Sequence, residues 1–143
     1  MNTKKRLLAL ILVLAMSLTL VPFAMADDDE DLFTDWDAVK NEEAVSVLSG
    51  LNVIRGYPDG TFGPTRTITR AEAAVIIARL VLGPALTDIL PAGVSGFVDV
   101  PASHWASGAI AWCAAEGYVV GIGNNRFNPS GQLTAVQFLI MLM

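Results

Sequence analysis

Apolar residues recur at helical spacing in four stretches of the chain. Ala44, Val45, Leu48 and Leu51 form the first inward-facing stripe, and Ala73, Ile76, Ile77 and Leu80 the second. Ile110, Cys113 and Ala114 form the third, and the run from Ala135 to Met143 is apolar almost throughout. Local signals set the ends. Asn41 predicts an N-cap for a helix over 42–50, with Glu42 and Glu43 against its positive end. Thr69 and Glu72 form a capping box that starts a helix over 70–82, which Gly83-Pro84 ends. A third helix is predicted over 105–115, stopped by Glu116-Gly117, and a fourth after Thr134, where Gln137 replaces the box glutamate. Residues 83–96 lack periodicity and read as a linker.

The segment joining the first two helices carries the strongest local chemistry. In Pro58-Asp59-Gly60 the proline fixes its own φ, the aspartate bonds the backbone ahead, and glycine takes the positive φ. Thr61-Phe62 then crosses toward the core, where the ring is expected to act as a plug. The segment recurs 65 residues later: Gly56, Phe62, Pro64 and Thr69 correspond to Gly121, Phe127, Pro129 and Thr134, and Asn125 stands where Gly60 stood. Upstream, Phe33-Thr34-Asp35 corresponds to Phe97-Val98-Asp99. The chain is therefore all-α, a tandem pair of helix–turn–helix repeats over 33–83 and 97–143 joined by a linker over 84–96. Units of this length bury their apolar faces by stacking on one another. The second repeat stops on an uncapped apolar run, which predicts a truncated product or a face that docks on something else.

The first 26 residues read as a cleavable export signal. Lys4, Lys5 and Arg6 precede an apolar run, and Ala24-Met25-Ala26 offers the cleavage site. No cysteine lies near that site for lipid attachment, and no membrane attachment is expected after cleavage. Asp27 to Asp31 is an acidic run, and 27–32 reads as a solvated spacer. Cleavage leaves six basic side chains against 14 acidic ones, a net charge of −8. Such acidity argues against nucleic acid as a partner. The one cysteine, Cys113, has no disulfide partner in the chain and reads as plain core.

Catalysis finds no support among these residues. The one histidine, His104, has no evident nucleophile, and the adjacent Glu42 and Glu43 diverge on a helix. Zinc-protease, paired-cysteine, phosphate-loop and nucleophile-elbow motifs are missing, so no enzyme activity, metal or cofactor is expected.

Taken together, F-x-D at 33–35 and 97–99, H-W-A at 104–106, G-Y-P-D-G-T-F-G-P at 56–64 and I-T-R-A-E at 68–72 resemble the S-layer homology (SLH) family. The likeness runs over about 33–143, with the second repeat degenerate and incomplete. It implies part of a pseudo-threefold helical bundle, secreted to the cell wall or surface layer. It also implies non-covalent anchoring through an anionic, pyruvylated secondary cell-wall polysaccharide. The ligand-binding residues carried over are Arg70, Asp35, Asp99, Trp105, Gly60 and Glu72. A guanidinium grips a carboxylate with paired charge-assisted bonds, and Arg70 lies in a first helical turn whose free amides would favour an anion. The plain alternative is a surface arginine paired with Asp59 or Glu72. Repeat 1 keeps the T-R-A-E arginine but lacks H-W-A; repeat 2 keeps H-W-A but has Ala135 in place of the arginine. This predicts one composite groove between repeats, with Arg70 on one side and Trp105 or Asp99 on the other. Other SLH chains, including copies of this one, are further expected partners. The alternatives are a surface-layer assembly subunit without a working glycan site, and the anchoring fragment of a longer exoenzyme.

Overall fold

A thirteen-residue helix forms the centre of the molecule. The computed structural model describes residues 32–143; the export signal and the acidic run Asp27 to Asp31 lie outside the described residues. Five α-helices follow a short 3-10 turn at Trp36–Ala38: α1 Glu42–Gly50, α2 Arg70–Leu82, α3 Pro84–Asp88, α4 Ser107–Ala115 and α5 Ala135–Leu142. Among the described residues there is no strand, only isolated bridges at Thr69–Gln132 and Gly123–Arg126. None of the described helices is long and apolar enough to cross a membrane.

Helix α2 is buried on more than one side. The predicted stripe is half right: Ala73 and Ile77 are buried, but Leu80 is exposed and Ile76 only partly covered. Ala71, Ala74, Val75 and Ala78 are buried as well. A one-sided stripe suits a helix at the surface of one unit, whereas α2 packs against both α3 of the linker and α4 of repeat 2. Small side chains allow a close approach there. The Cys113 thiol donates to the Ala74 carbonyl at 3.3 Å, and burial pushes its pKa up to about 12. Ala109, Ile110 and Cys113 of α4, with Val100, Val119 and Phe127, complete this core. A smaller cluster of Phe33, Val39 and Val45, flanked by Trp36 and Phe62, lies in repeat 1.

Four other local expectations are corrected. Asn41 makes no side-chain cap; only its carbonyl serves α1, accepting from Val45 N at 3.1 Å. Leu51 is exposed, and α1 buries Val45 alone. Helix α4 starts at Ser107, two residues late, because His104 turns the chain first: its amide donates to the Pro101 carbonyl and its Nδ1 accepts from Ala106 N. The linker is not structureless. Gly83, at φ +85°, ends α2, and Pro84 begins α3, where a missing amide proton costs nothing. Asp88 at its end pairs with both Arg55 and Arg79.

Candidate functional site at the repeat junction

Each repeat builds the same loop with an aspartate clasp. Asp35 accepts from Phe62 N at 2.7 Å and Gly63 N at 2.9 Å; Asp99 accepts from Phe127 N and Asn128 N, both at 2.8 Å. The F-x-D motif thus fastens the loop that follows 27 to 29 residues later. The Phe62 amide holds the Asp35 carboxyl below the usual carboxylate range. At Asp99 burial pushes the pKa up, and the Phe127 and Asn128 amides more than offset it. Within the first loop, Asp59 accepts from Thr61 Oγ1 at 2.6 Å and Thr61 N at 3.0 Å, and these bonds with the Arg66 pair lower its pKa to about 2.

The backbone conformation is common to both loops, although the residues differ. Gly60 and Gly63 lie at φ +83° and +73°, and their counterparts Asn125 and Asn128 at +52° and +58°. Asparagine is among the side chains that tolerate this region, so repeat 2 keeps the turn without the glycine. Close packing requires glycine elsewhere: a Cβ on Gly121 would meet the Arg126 carbonyl at 2.7 Å and the Phe97 ring at 2.8 Å.

Arg70 spans the two repeats. Its Nε donates to the Phe127 carbonyl and its Nη2 to the Val120 carbonyl, both at 2.7 Å, while the guanidinium carbon lies 4.5 Å from the Phe127 ring centre. Phe127 therefore links two candidate residues, its amide bonded to Asp99 and its carbonyl to Arg70. Burial pushes the Arg70 pKa down and the nearby Asp99 charge pushes it back. The expected alternative partners are otherwise engaged. Asp59 pairs with Arg66 at 3.0 Å, and Glu72 accepts from Thr69 N at 2.7 Å in the capping box. The other described arginines (Arg55, Arg66, Arg79 and Arg126) each have a carboxylate within 4.0 Å; Arg70 has none among the described residues.

One expectation about Arg70 fails. The amides opening α2 are not free for an anion: Arg70 N donates to the Gly131 carbonyl at 2.8 Å and Ala71 N to the Pro129 carbonyl at 3.0 Å. Gly60 belongs to the first loop, where its carbonyl accepts from Thr34 N at 3.0 Å. Trp105 is 67% exposed and stacks on His104, with ring centres 5.8 Å apart. The contacts of Arg70 are to Phe127 and Val120, so Trp105 and Arg70 are not joined by one. A groove of about 790 Å3 lies at the junction, walled by residues 66–68 on one side and 132–135 with Phe138 on the other; Arg70, Asp99 and Trp105 are not among its lining residues, so it is not the composite groove expected. Sequence reasoning missed this groove and the Val120 and Phe127 carbonyls. The 65-residue repeat was the available signal, since it pairs the two walls. Among the described residues no group of His, Cys, Asp and Glu is arranged to hold a metal ion.

The S-layer homology domain profile matches residues 32–74 and 96–134, more than half of the chain. The chain belongs to the S-layer homology domain family. It is 30% identical to a "Cell surface protein" of Thermoanaerobacter kivui over all of this chain and 19% of that protein. A "Surface layer protein" of Brevibacillus choshinensis is likewise 30% identical, over 97% of this chain and 12% of its own length. A "Cellulosome-anchoring protein" of Acetivibrio thermocellus is 40% identical over 59% of this chain and 19% of that protein. The chain thus spans about a fifth or less of these relatives. No solved structure matches it.

Proposed function

We propose that the chain is an exported module that anchors non-covalently to the bacterial cell wall by binding an anionic secondary cell-wall polysaccharide, with Arg70 as the charge that meets the polymer's carboxylates. The observation carrying this reading is the state of Arg70. Two neutral carbonyls and an aromatic face fix the guanidinium, yet no carboxylate lies within ion-pair distance to neutralise it. A side chain held this way loses little freedom on binding, and Nη1 makes no hydrogen bond among the described residues. Pyruvate ketals are the carboxylates that fit the family resemblance. Asp35, Asp99, Gly60 and Glu72 serve by building the loops and the helix start around it, and exposed Trp105 offers an apolar face to a sugar ring. The names of the relatives agree, one being a cellulosome-anchoring protein and another a surface layer protein.

A second reading is a surface-layer assembly piece without a working glycan site. Ala135 in the arginine position of repeat 2 and the exposed apolar residues of α5 favour it. Co-sedimentation with purified walls, before and after extraction of the wall polymer, separates the two. The anchoring reading expects pelleting that vanishes on extraction. It also expects Arg70→Gln, checked as folded by circular dichroism, to bind about 10- to 100-fold more weakly, the loss of a charge-assisted bond of about 1.5–3 kcal/mol. Equal pelleting of folded Arg70→Gln, or pelleting indifferent to extraction, contradicts it.

A further inference from the structure

The two loops share a backbone but carry their charges in different places. The repeat sets Asn124 against Asp59, Arg126 against Thr61 and Gly131 against Arg66. In the first loop the acid and the base neutralise one another: Asp59 pairs with Arg66 at 3.0 Å, and Arg66 also covers the Tyr57 ring at 4.3 Å. The second loop has neither that acid nor that base, and has a base at a new place instead. The backbone beneath Arg126 is pinned on both sides. Its amide donates to the Gly123 carbonyl at 3.0 Å, and its carbonyl accepts from Ile122 N at 2.7 Å.

The Arg126 side chain has no comparable anchor. It is 61% exposed, and among the described residues it is the one arginine whose guanidinium makes no hydrogen bond. Its Nε lies 3.7 Å from Asp99, an ion pair too long for a hydrogen bond. Both oxygens of that carboxylate already accept backbone amides, Oδ1 from Phe127 and Oδ2 from Asn128. The connection continues through Phe127, whose carbonyl accepts from Arg70 Nε. Arg126 and Arg70 therefore stand at the two ends of one connected run, Asp99 and Phe127, with two guanidiniums against a single carboxylate. This surplus of positive charge sits on a mature chain of net charge −8.

We infer that Arg126 is a second cation of the polysaccharide site, and that the ligand is a polymer with acidic groups spaced along it, one meeting Arg70 and the next meeting Arg126. This deepens the anchoring reading and rests on it. Arg70, fixed by two carbonyls and the Phe127 ring, sets where the first acidic group sits. Arg126, held only through its backbone, keeps all five N–H donors for the next one. A single carboxylate is not shared between the two arginines, because the Asp99 charge and the Phe127 peptide occupy the connection. Repeat 2, with Ala135 where repeat 1 has Arg70, thus contributes its cation from the loop instead of the helix.

The test titrates purified wall polysaccharide into the mature wild type, Arg70→Gln, Arg126→Thr and Arg126→Lys by calorimetry, at low and at physiological salt. Arg126→Thr installs the residue of the first loop and removes no hydrogen bond, so its melting temperature should match the wild type. Its binding should be about fivefold weaker at low salt and should fall less steeply as salt is added, with Arg126→Lys recovering most of both. Fragments of the same polymer that carry one acidic group should bind the wild type and Arg126→Thr alike. Unchanged affinity and salt dependence in Arg126→Thr, with Arg70→Gln still weakened, overturn the inference and leave the anchoring reading standing. So does a one-acid fragment that binds the wild type as tightly as the polymer. A loss that Arg126→Lys does not restore assigns Arg126 to the loop's structure and overturns the inference equally. A wild type that does not bind the polymer overturns the anchoring reading and this inference with it.

Discussion

Phe127→Ala and Phe62→Ala remove the same side chain from equivalent loop positions, but the structure assigns them unequal costs. Phe127 is completely buried, packs on Phe97 with ring centres 5.3 Å apart, and lies under the Arg70 guanidinium. Full truncation of a buried phenylalanine costs about 3–5 kcal/mol, and the cation over its face places Phe127 toward the upper end. Phe62 is partly exposed and packs on Phe33 with ring centres 5.6 Å apart, so about half that burial is lost, roughly 1.5–2.5 kcal/mol. For a domain of this size 1 kcal/mol corresponds to about 4 °C. Phe127→Ala should therefore lower the melting temperature by about 12–20 °C and Phe62→Ala by about 6–10 °C, read by circular dichroism and checked by urea titration. The gap between the two is the quantity of interest, since it measures the cover that repeat 1 gives repeat 2. Equal losses, or a larger loss at Phe62, would refute the argument that Arg70 and α2 seal the second loop and leave the first unsealed.

Other outcomes follow from single groups. Asn128→Ala puts a β-carbon with no local hydrogen bond at φ +58° and should cost about 1 kcal/mol in urea titration, whereas Asn128→Gly should be neutral within about 0.5 kcal/mol. Thr69→Ala and Thr134→Ala each remove a complete capping box and should each cost about 1 kcal/mol. Cys113, buried with its pKa near 12, should resist a thiol reagent at pH 8 in the native state and react fully in urea; rapid native labelling would contradict its burial. The folded-state pKa values of Asp35, Asp59 and Asp99 all lie below the ordinary carboxylate value, Asp59 at about 2. Their contribution is complete above the unfolded pKa near 4 and is lost as pH falls through the folded values. Stability from these groups should be level from pH 7 to about 5, then drop toward pH 2. Asp35→Asn combined with Asp59→Asn should flatten that acid limb; an unchanged acid limb would contradict the clasp.

What the sequence revealed was local or repeated. Both capping boxes were legible because the partners are three residues apart, and the loop equivalence survived Gly60 becoming Asn125 because both residues accept a positive φ. The arginine was legible as a candidate, but its partners were not: Val120 and Phe127 offer backbone carbonyls 50 and 57 residues away, and carbonyls leave no trace in side-chain pattern. The burial of α2 on several sides was missed for a related reason. Periodicity assumes a single covered face, whereas α2 is covered by both α3 and α4. Gly83-Pro84 does end α2 at Leu82, but that Pro84 is also the first residue of α3 was not legible. Asn41 had the residue type of a cap, but its side chain makes no cap bond.

The central functional claim is that an un-neutralised guanidinium at the junction of two repeats recognises carboxylates on wall carbohydrate. Calorimetric titration of the mature chain with purified wall polysaccharide, native and after chemical reduction of its carboxylates to alcohols, tests it most directly. The account predicts saturable binding to the native polymer and at least tenfold weaker binding to the reduced one. Equal affinity for the two polymers would contradict it.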